Sequence, residues 1–234
     1  LKALYFIFEL DMLTRQKLRS GPWHIKGRAM EEVAAMGMTG EVTQLSSYLN
    51  SPNNFLSNKS LLTILKLKGK QGLLYIDKLN YSLSEYQQMC IIQVVTGFEN
   101  YENLIDNNWY TNTNKNILLL NIKLIQSLNL YDGFEGLIKL LDHEETDIKV
   151  SAIKALGMLR VYSAKSILLD KITTQTEIVR LEIIKALRLL GDANDINVLI
   201  KLLPQASFDV SNAIQQTINV LKPEVLTEVL EEAW

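Results

Sequence analysis

The sequence contains one cysteine, Cys90, and two histidines, His24 and His143, among its 234 residues. A single cysteine excludes a disulfide within the chain and any zinc site built from several cysteines. Two histidines argue against a histidine-rich metal centre in the same way. We therefore predict no metal and no other cofactor. A lone cysteine is also what a reducing compartment permits, and we expect a cytoplasmic protein.

Proline and glycine are scarce as well, with four prolines and 11 glycines. These residues interrupt helices and mark the turns of β proteins, so their scarcity favours helices. Hydrophobic residues make up 47% of the chain and charged residues 21%, a composition that excludes global disorder. The composition therefore predicts an ordered, mainly helical protein.

Neither sign of charge dominates, because 24 basic residues face 26 acidic ones, and this balance does not favour a nucleic-acid partner. The basic residues near the start form a cluster: Arg15, Lys17, Arg19, Lys26 and Arg28. An apolar segment over residues 1–10 precedes this cluster, but it is too short to span a bilayer. We predict a capping helix over residues 1–20 and a candidate basic surface at the cluster.

An apolar segment followed by arginines and lysines is also typical of the cytoplasmic flank of a membrane anchor. The chain begins at Leu1, and an initiator methionine is not normally removed before leucine. We therefore expect a segment upstream of Leu1 that tethers the protein to the cytoplasmic face of a membrane.

An internal repeat of about 31 residues runs through the chain. Helical windows align at seven positions, six of them small or aliphatic: Ala29, Ser60, Cys90, Asn121, Ala152, Ile183 and Ile214. The residues four before and four after each position are apolar in all seven windows. Such a pattern lies along one side of a helix, so we predict seven helices that bury the same face.

A second apolar stripe begins sixteen residues after the alignment positions and predicts a second helix in each unit. Its members are Leu45, Ile76, Leu137, Leu168, Leu199 and Leu230. Between the two stripes, Gly37, Gly69 and Gly191 suit the left-handed conformation that ends many helices. Each unit is thus a predicted helical hairpin, and a single hairpin leaves apolar surface in water unless it stacks on its neighbours.

These patterns predict an all-α fold. We expect a right-handed α-solenoid, a superhelix of about seven 31-residue hairpins over residues 21–234, after the capping helix of residues 1–20. Together they form one predicted domain, residues 1–234. The third unit departs most from the pattern, because Asp106 and Tyr110 replace aliphatic residues and residues 107–112 suggest a loop.

Residues 148–157, with the sequence IKVSAIKALG, resemble the HEAT-like repeat of the PBS-lyase type, whose pattern reads V-R-x-x-A-x-x-A-L-G. Residues 179–187 repeat the pattern, and Ile25, Lys26 and Ala29 echo it. Residues 18–29 are also similar to the first repeat of bacterial HEAT-like proteins that a preceding helix tethers to the membrane. The resemblance implies an α-solenoid of bacterial origin that binds other proteins.

We predict a non-enzymatic scaffold that binds a protein partner along a concave surface lined by the second helices. The candidate partner-binding residues are Tyr48, Tyr75, Trp109, Tyr110, Lys139 and Lys201. Two alternatives stay open. One is a bilin-lyase-like or other ligand-handling enzyme, since HEAT-like scaffolds also carry enzymes. The other is a membrane-surface or nucleic-acid binder that uses the basic N-terminal unit.

Residues 142–147 form the densest polar run, in which His143 stands among four carboxylates. The run falls where the fifth hairpin begins, and the dipole of a helix stabilises acidic side chains in its first turn. We therefore predict a helix start, with Thr146 or Asp147 available as its cap, and no metal or acid-base site. Cys90 is predicted to be a buried core thiol, and we assign no catalytic residue.

Overall fold

The structure is a computed structural model that describes residues 2–99 and 104–222. Within these two ranges every regular element is a helix and no strand occurs, which confirms the all-α prediction. The chain divides into two compact units. Unit 1 comprises Leu1–Leu104 and Asn114–Ile117, and unit 2 comprises Ile105–Thr113 and Leu118–Trp234. The single domain over residues 1–234 stays a prediction.

Unit 1 is built on a row of packed helices. Its α-helices are α1 (Lys2–Ile7), α2 (Leu10–Ser20), α3 (Trp23–Met36), α4 (Val42–Ser46), α5 (Asn54–Lys68) and α6 (Glu85–Val95). Helix α3 packs between α2 and α5, while α4 and the 3-10 helix Gly69–Lys78 are the second helices of the first two hairpins. The predicted capping helix is two helices, because the chain turns at Glu9, whose backbone is left-handed with φ 54°.

Unit 2 contains the more regular hairpins. Its helices are α7 (Lys115–Leu128), α8 (Phe134–Lys139), α9 (Thr146–Met158), α10 (Lys165–Lys171), α11 (Glu177–Leu190), α12 (Ile196–Ile200) and α13 (Phe208–Leu221). The first residues of α7, up to Ile117, belong to unit 1. The first helices α9 and α13 both pack on α11. In the irregular third hairpin, residues 107–112 lie outside any α-helix and include the 3-10 turn Trp109–Thr111, which agrees with the loop suggested by the sequence. Leu230, in the second helix predicted for the seventh hairpin, lies outside the described residues.

The buried stripe of the first helices matches the predicted positions in five hairpins. Ala29, Ser60, Ala152, Ile183 and Ile214 are fully or almost fully buried. The prediction is wrong by one residue in the third and fourth hairpins, where Ile91 and Ile122 are buried and Cys90 and Asn121 are only partly buried. The segment 90–95 carries apolar residues on adjacent sides of the helix, so periodicity alone did not distinguish the two registers.

Three hairpin turns close with the same backbone motif. The N–H groups of Met38, Leu130 and Val161 each donate to a carbonyl five residues earlier, at 3.0–3.1 Å. The residue before each donor is left-handed, and these residues are Gly37, Asn129 and Arg160. This is the Schellman motif, which satisfies carbonyls that the helix end leaves open.

The left-handed conformation predicted at three glycines is confirmed at Gly37, with φ 72° and ψ 36°. Gly69 has a positive φ of 56°, but its ψ of −136° lies outside the left-handed helical region, so the prediction is wrong there. Gly191 is extended, with φ −78°, so the left-handed prediction is wrong there. The side chain of Asp192 instead accepts the N–H of Asn194 at 2.8 Å and caps the following 3-10 turn.

Arg180, in the first turn of α11, joins two successive hairpins. Its Nε donates to the carbonyl of Ile172 at 3.0 Å, and its Nη2 donates to the carbonyls of Thr173 and Gln175 at 3.3 and 3.2 Å. These carbonyls belong to the segment that follows α10. The arginine of the V-R pattern therefore supplies donors to the end of the preceding second helix.

Gly157 sets how closely α9 and α11 approach. A Cβ atom added at Gly157 would lie 3.0 Å from both Cα and Cβ of Ala186. Protein interiors are close-packed, so a side chain here would force the two helices apart.

We expect Gly157→Leu to lower the free energy of unfolding by about 1–3 kcal/mol, the usual cost of overpacking a filled core. Urea denaturation followed by circular dichroism measures this change. Gly40→Ala is the control, because a Cβ at Gly40 meets nothing within 4 Å. A similar loss of stability in both variants would contradict the close approach of α9 and α11.

Candidate functional site

The two tyrosines predicted on second helices of unit 1 are half-buried. The hydroxyl of Tyr48 donates to the carbonyl of Leu18 at 2.7 Å and accepts from Gln44 Nε2 at 3.1 Å. Tyr48 thereby links α2 to the segment after α4. Tyr75 lies beside Lys78, whose Nζ is 4.4 Å from the centre of its ring.

Trp109 in unit 2 is buried, with 4% of its surface exposed. Its indole fills the space beside Gly136 of α8, where an added Cβ would lie 2.5 Å from Nε1 of the indole. Tyr110 packs edge to face on Trp109, with 6.3 Å between the ring centres. Trp109 therefore acts as a core residue in this structure, and Tyr110 is the more accessible member of the pair.

Lys139, at the end of α8, lies over Tyr110. Its Nζ is 4.6 Å from the ring centre and donates to the tyrosine hydroxyl at 2.9 Å. It also pairs with Glu135 at 2.7 Å. The hydrogen bond to Lys139 lowers the pKa of Glu135, and the bonds to Glu135 and then Tyr110 raise the pKa of Lys139. Lys201, just after α12, is exposed.

Part of the basic cluster of unit 1 is engaged in pairs. Arg15 pairs with Glu41 at 2.9 Å and with Asp11 at 3.4 Å, and Lys17 pairs with Glu32 at 3.4 Å. Lys26 Nζ lies 4.9 Å from the ring centre of Tyr48. Arg19 and Arg28 are exposed, and neither forms an ion pair with a described residue.

Sequence reasoning missed an exposed apolar surface at the start of the chain, which we name the N-terminal apolar surface. It consists of Leu4, Phe6, Ile7, Phe8, Leu10, Met12 and Leu13, all of which are exposed. Only Thr14 and Leu18 are buried in α1 and α2. The many apolar residues of this segment were the sequence signal for an exposed surface, but they were interpreted as part of a capping helix.

Sequence reasoning also missed a second exposed feature, on the first helices of unit 2. Met158, Leu189 and Val220 occupy equivalent positions 31 residues apart and are 54%, 42% and 60% exposed. We name these three residues the apolar row. Their 31-residue spacing was visible in the sequence, but this spacing was considered only for the buried positions.

The polar run at residues 142–147 begins α9, as predicted, with Asp147 in the first helical turn. The predicted cap is wrong, because Glu145 is the N-cap residue and its side chain does not cap the helix. Asp142 pairs with Lys171, and His143 Nδ1 accepts the N–H of Glu145 at 3.0 Å. Within the described part of the chain no group of histidine, cysteine and carboxylate side chains is placed to hold a metal ion.

Cys90 is partly exposed and lies beside Tyr86, one turn earlier on α6. A hydrogen bond with the Cys90 side chain raises the pKa of the Tyr86 hydroxyl. The prediction that Cys90 is a buried core thiol is therefore wrong, because Ile91 takes the buried position on α6.

An open groove of about 240 Å³ lies between α3 and α5 of unit 1. Its lining residues are Glu31, Ala34, Ala35, Lys59, Leu62, Thr63 and Lys66. Glu31 and Lys59 form an ion pair in the groove, and the hydrogen bond from Lys59 lowers the pKa of Glu31. The groove thus presents charges that already neutralise each other in part.

Stacked helical hairpins with a repeating buried stripe define a helical repeat protein of the α-solenoid class. Residues 134–219, which span α8 to α13, match the HEAT repeat family. This part of the chain therefore contains HEAT-like repeats, and the resemblance drawn from residues 148–157 and 179–187 is confirmed.

Among solved structures, the chain is similar to an engineered protein from the Northeast Structural Genomics Consortium. The two are 18% identical, and the match covers 90% of this chain and 95% of that one with a TM-score of 0.37. No curated protein matches the chain. In the ranges 2–99 and 104–222, no helix has both the length and the apolar character needed to cross a bilayer.

We expect Lys139→Met to raise the pKa of Glu135 towards the ordinary value of a glutamate, because its hydrogen bond is the main cause of the lowered pKa. A carboxyl with a lowered pKa stabilises the folded state at neutral pH and loses this effect as the pH falls through its folded pKa. Titration of the Glu135 carboxyl by NMR measures the shift, with Lys201→Met as the control. An unchanged pKa in Lys139→Met would show that the pair does not form in solution.

Proposed function

We propose that this chain is a non-enzymatic scaffold that binds a protein partner along the surface of its stacked repeats. HEAT repeats are in general protein-interaction modules, and residues 134–219 match them. The observation that carries the proposal is the constant spacing of exposed side chains on the helices of unit 2. The fifth, sixth and seventh hairpins repeat the same buried stripe through Ala152, Ile183 and Ile214, so their outward positions also recur, as Met158, Leu189 and Val220 do.

Unit 2 offers two different faces to a partner. The second helices present polar side chains, among them Lys139, Asp170 and Lys201, all exposed. The first helices present the apolar row. A partner that binds to either face contacts several hairpins at once. Helical repeat proteins recognise other proteins through such extended contacts.

A second candidate function is binding to an anionic membrane surface, and the N-terminal apolar surface favours it. Monomeric proteins rarely leave a dense apolar patch in water, and amphipathic segments with basic residues insert at the lipid interface. Arg19 lies seven residues after Met12 and therefore on the same side of α2. Arg15 and Lys17 are paired with Glu41 and Glu32, but Arg19 and Arg28 form no ion pair with a described residue and complement anionic lipids.

The predicted tether upstream of Leu1 and the cytoplasmic location stay predictions. The bilin-lyase-like alternative also stays a prediction, and no described feature of the two units favours it over a scaffold.

Affinity capture from extracts of the native source tests the scaffold. Wild type is compared with Lys139→Glu plus Lys201→Glu and with Met158→Ser plus Leu189→Ser, which alter the two faces of unit 2. We expect specific proteins with the wild type and at least tenfold less of them with one of the two variants, equivalent to about 1.4 kcal/mol. Capture of no protein above background, or of the same proteins in equal amounts by all three, would contradict a scaffold.

Co-sedimentation with vesicles tests the membrane candidate. Vesicles of phosphatidylcholine alone are compared with vesicles of equal parts phosphatidylcholine and phosphatidylserine. Burying one large apolar side chain contributes about 1.5–3 kcal/mol, so we expect Ile7→Ser plus Phe8→Ser to weaken binding more than tenfold.

Leu74→Ser is the matched control, because Leu74, Ile7 and Phe8 are each about 70% exposed. Arg19→Gln plus Arg28→Gln should weaken binding only to the anionic vesicles, and added salt should do the same in wild type. Absence of binding to both kinds of vesicle, or equal loss with the Leu74 control, would rule out the membrane candidate.

A further inference from the structure

The apolar row crosses three helices that pack side by side. Met158, Leu189 and Val220 each lie at the C-terminal end of their helix, α9, α11 and α13, and α11 packs against both neighbours. Gly157 allows α9 to approach α11 closely beside Met158. The row is therefore a short apolar strip with one exposed side chain on each of three neighbouring helices.

Basic side chains predominate next to the strip, although Asp192, 54% exposed and paired with Lys165, follows the end of α11. The C-terminal parts of these helices, residues 153–160, 184–191 and 215–221, contain Lys154, Arg160, Lys185 and Arg188 and no acidic residue. This concentration occurs in a chain whose net charge is −2. The carboxylate of Glu182, one turn earlier on α11, has a side chain only 15% exposed and pairs with Lys185 at 3.3 Å.

Lys154 and Lys185 lie one helical turn before Met158 and Leu189, so an apolar row and a basic row run side by side. Lys154, Arg160 and Lys185 are exposed. Arg188 is partly buried and donates to Gln216 of α13 at 3.3 Å. A partner that fits this surface needs apolar side chains flanked by carboxylates.

The spacing of the strip favours a helical partner. Packed helices lie about 8–10 Å apart, which sets the step from one member of the row to the next. Seven residues of a partner helix rise about 10.5 Å, so apolar side chains one heptad apart return to the same face about 0.5 Å beyond this range. In an extended strand, side chains on one face recur about every 6.7 Å, about 1.3 Å below the range, which matches the step less well.

We propose that this face of unit 2 binds an acidic amphipathic helix of a protein partner. Apolar side chains one heptad apart contact the row, and Asp or Glu side chains beside them contact Lys154 and Lys185. The inference rests on the proposed scaffold function and adds the partner's chemistry and the face that it uses.

Site-specific photo-crosslinking in the full chain tests the proposal. A photoreactive p-benzoylphenylalanine replaces Leu189 in one version and Asn197, on the second helix α12, in the other. After irradiation in cells of the native source, the crosslinked peptide is identified by mass spectrometry. We expect Leu189→p-benzoylphenylalanine to capture an acidic segment with apolar residues at heptad spacing.

Charge reversal supplies the second measurement. Adding Lys154→Glu plus Lys185→Glu should lower the crosslink yield at position 189 at least tenfold. Adding Lys68→Glu plus Lys70→Glu, which reverses two exposed lysines of unit 1 outside the candidate binding surfaces, should leave the yield unchanged. Circular dichroism of each version checks that the helices persist. An equal yield in both charge variants would overturn the acidic partner.

The remaining outcomes separate this proposal from the scaffold itself. A neutral or basic segment, a second copy of this chain, lipid or nucleic acid crosslinked at position 189 would overturn it. Protein crosslinked only at position 197 would overturn it and leave the scaffold standing. No protein crosslinked at either position would contradict the scaffold as well.

Discussion

Gly157 and Ala186 meet where α9 and α11 pack, and the order of unit 2 depends on stacking of this kind. A hairpin with one apolar side cannot bury that side alone, so its free energy of folding is supplied largely by contact with the next hairpin. This requirement is visible in the sequence as the apolar stripe through Ala152, Ile183 and Ile214, which are buried in the structure. Because stacking fixes the rotation of each first helix, it also fixes which residues face outward. The apolar row is thus a by-product of the core, available for recognition without any change to the packing.

Much of the fold could be predicted because it depends on local periodicity. A stripe with helical spacing, repeated every 31 residues, identifies hairpins without knowledge of their contacts, and Ala29, Ala152 and Ile183 were placed correctly. The register failed at Cys90 and Asn121, where apolar residues occupy adjacent sides of the helix and only packing selects one side. Turn geometry failed at Gly191 for a related reason, since Asp192 provides another way to close the turn.

The candidate site was less predictable because exposure depends on distant neighbours. Trp109 was predicted as an anchor for a partner, yet it fills the space beside Gly136, a contact between residues 27 positions apart. Conversely, Phe6, Ile7 and Phe8 belong to the segment predicted as a capping helix, yet they are exposed next to the break at Glu9. In both cases tertiary packing, which no short pattern encodes, decides whether an aromatic or aliphatic side chain is available for binding.

The hydrogen bonds of Arg180 have a consequence for where one module of this protein ends. The sequence repeat is naturally divided before each first helix, but Arg180 in α11 satisfies carbonyls that follow α10 in the preceding repeat. A fragment cut at the sequence boundary before α11 would leave those carbonyls without their donors. The smallest interchangeable building block in this part of unit 2 is therefore larger than one sequence repeat. Shuffling or trimming these hairpins has to keep the end of α10 together with the start of α11.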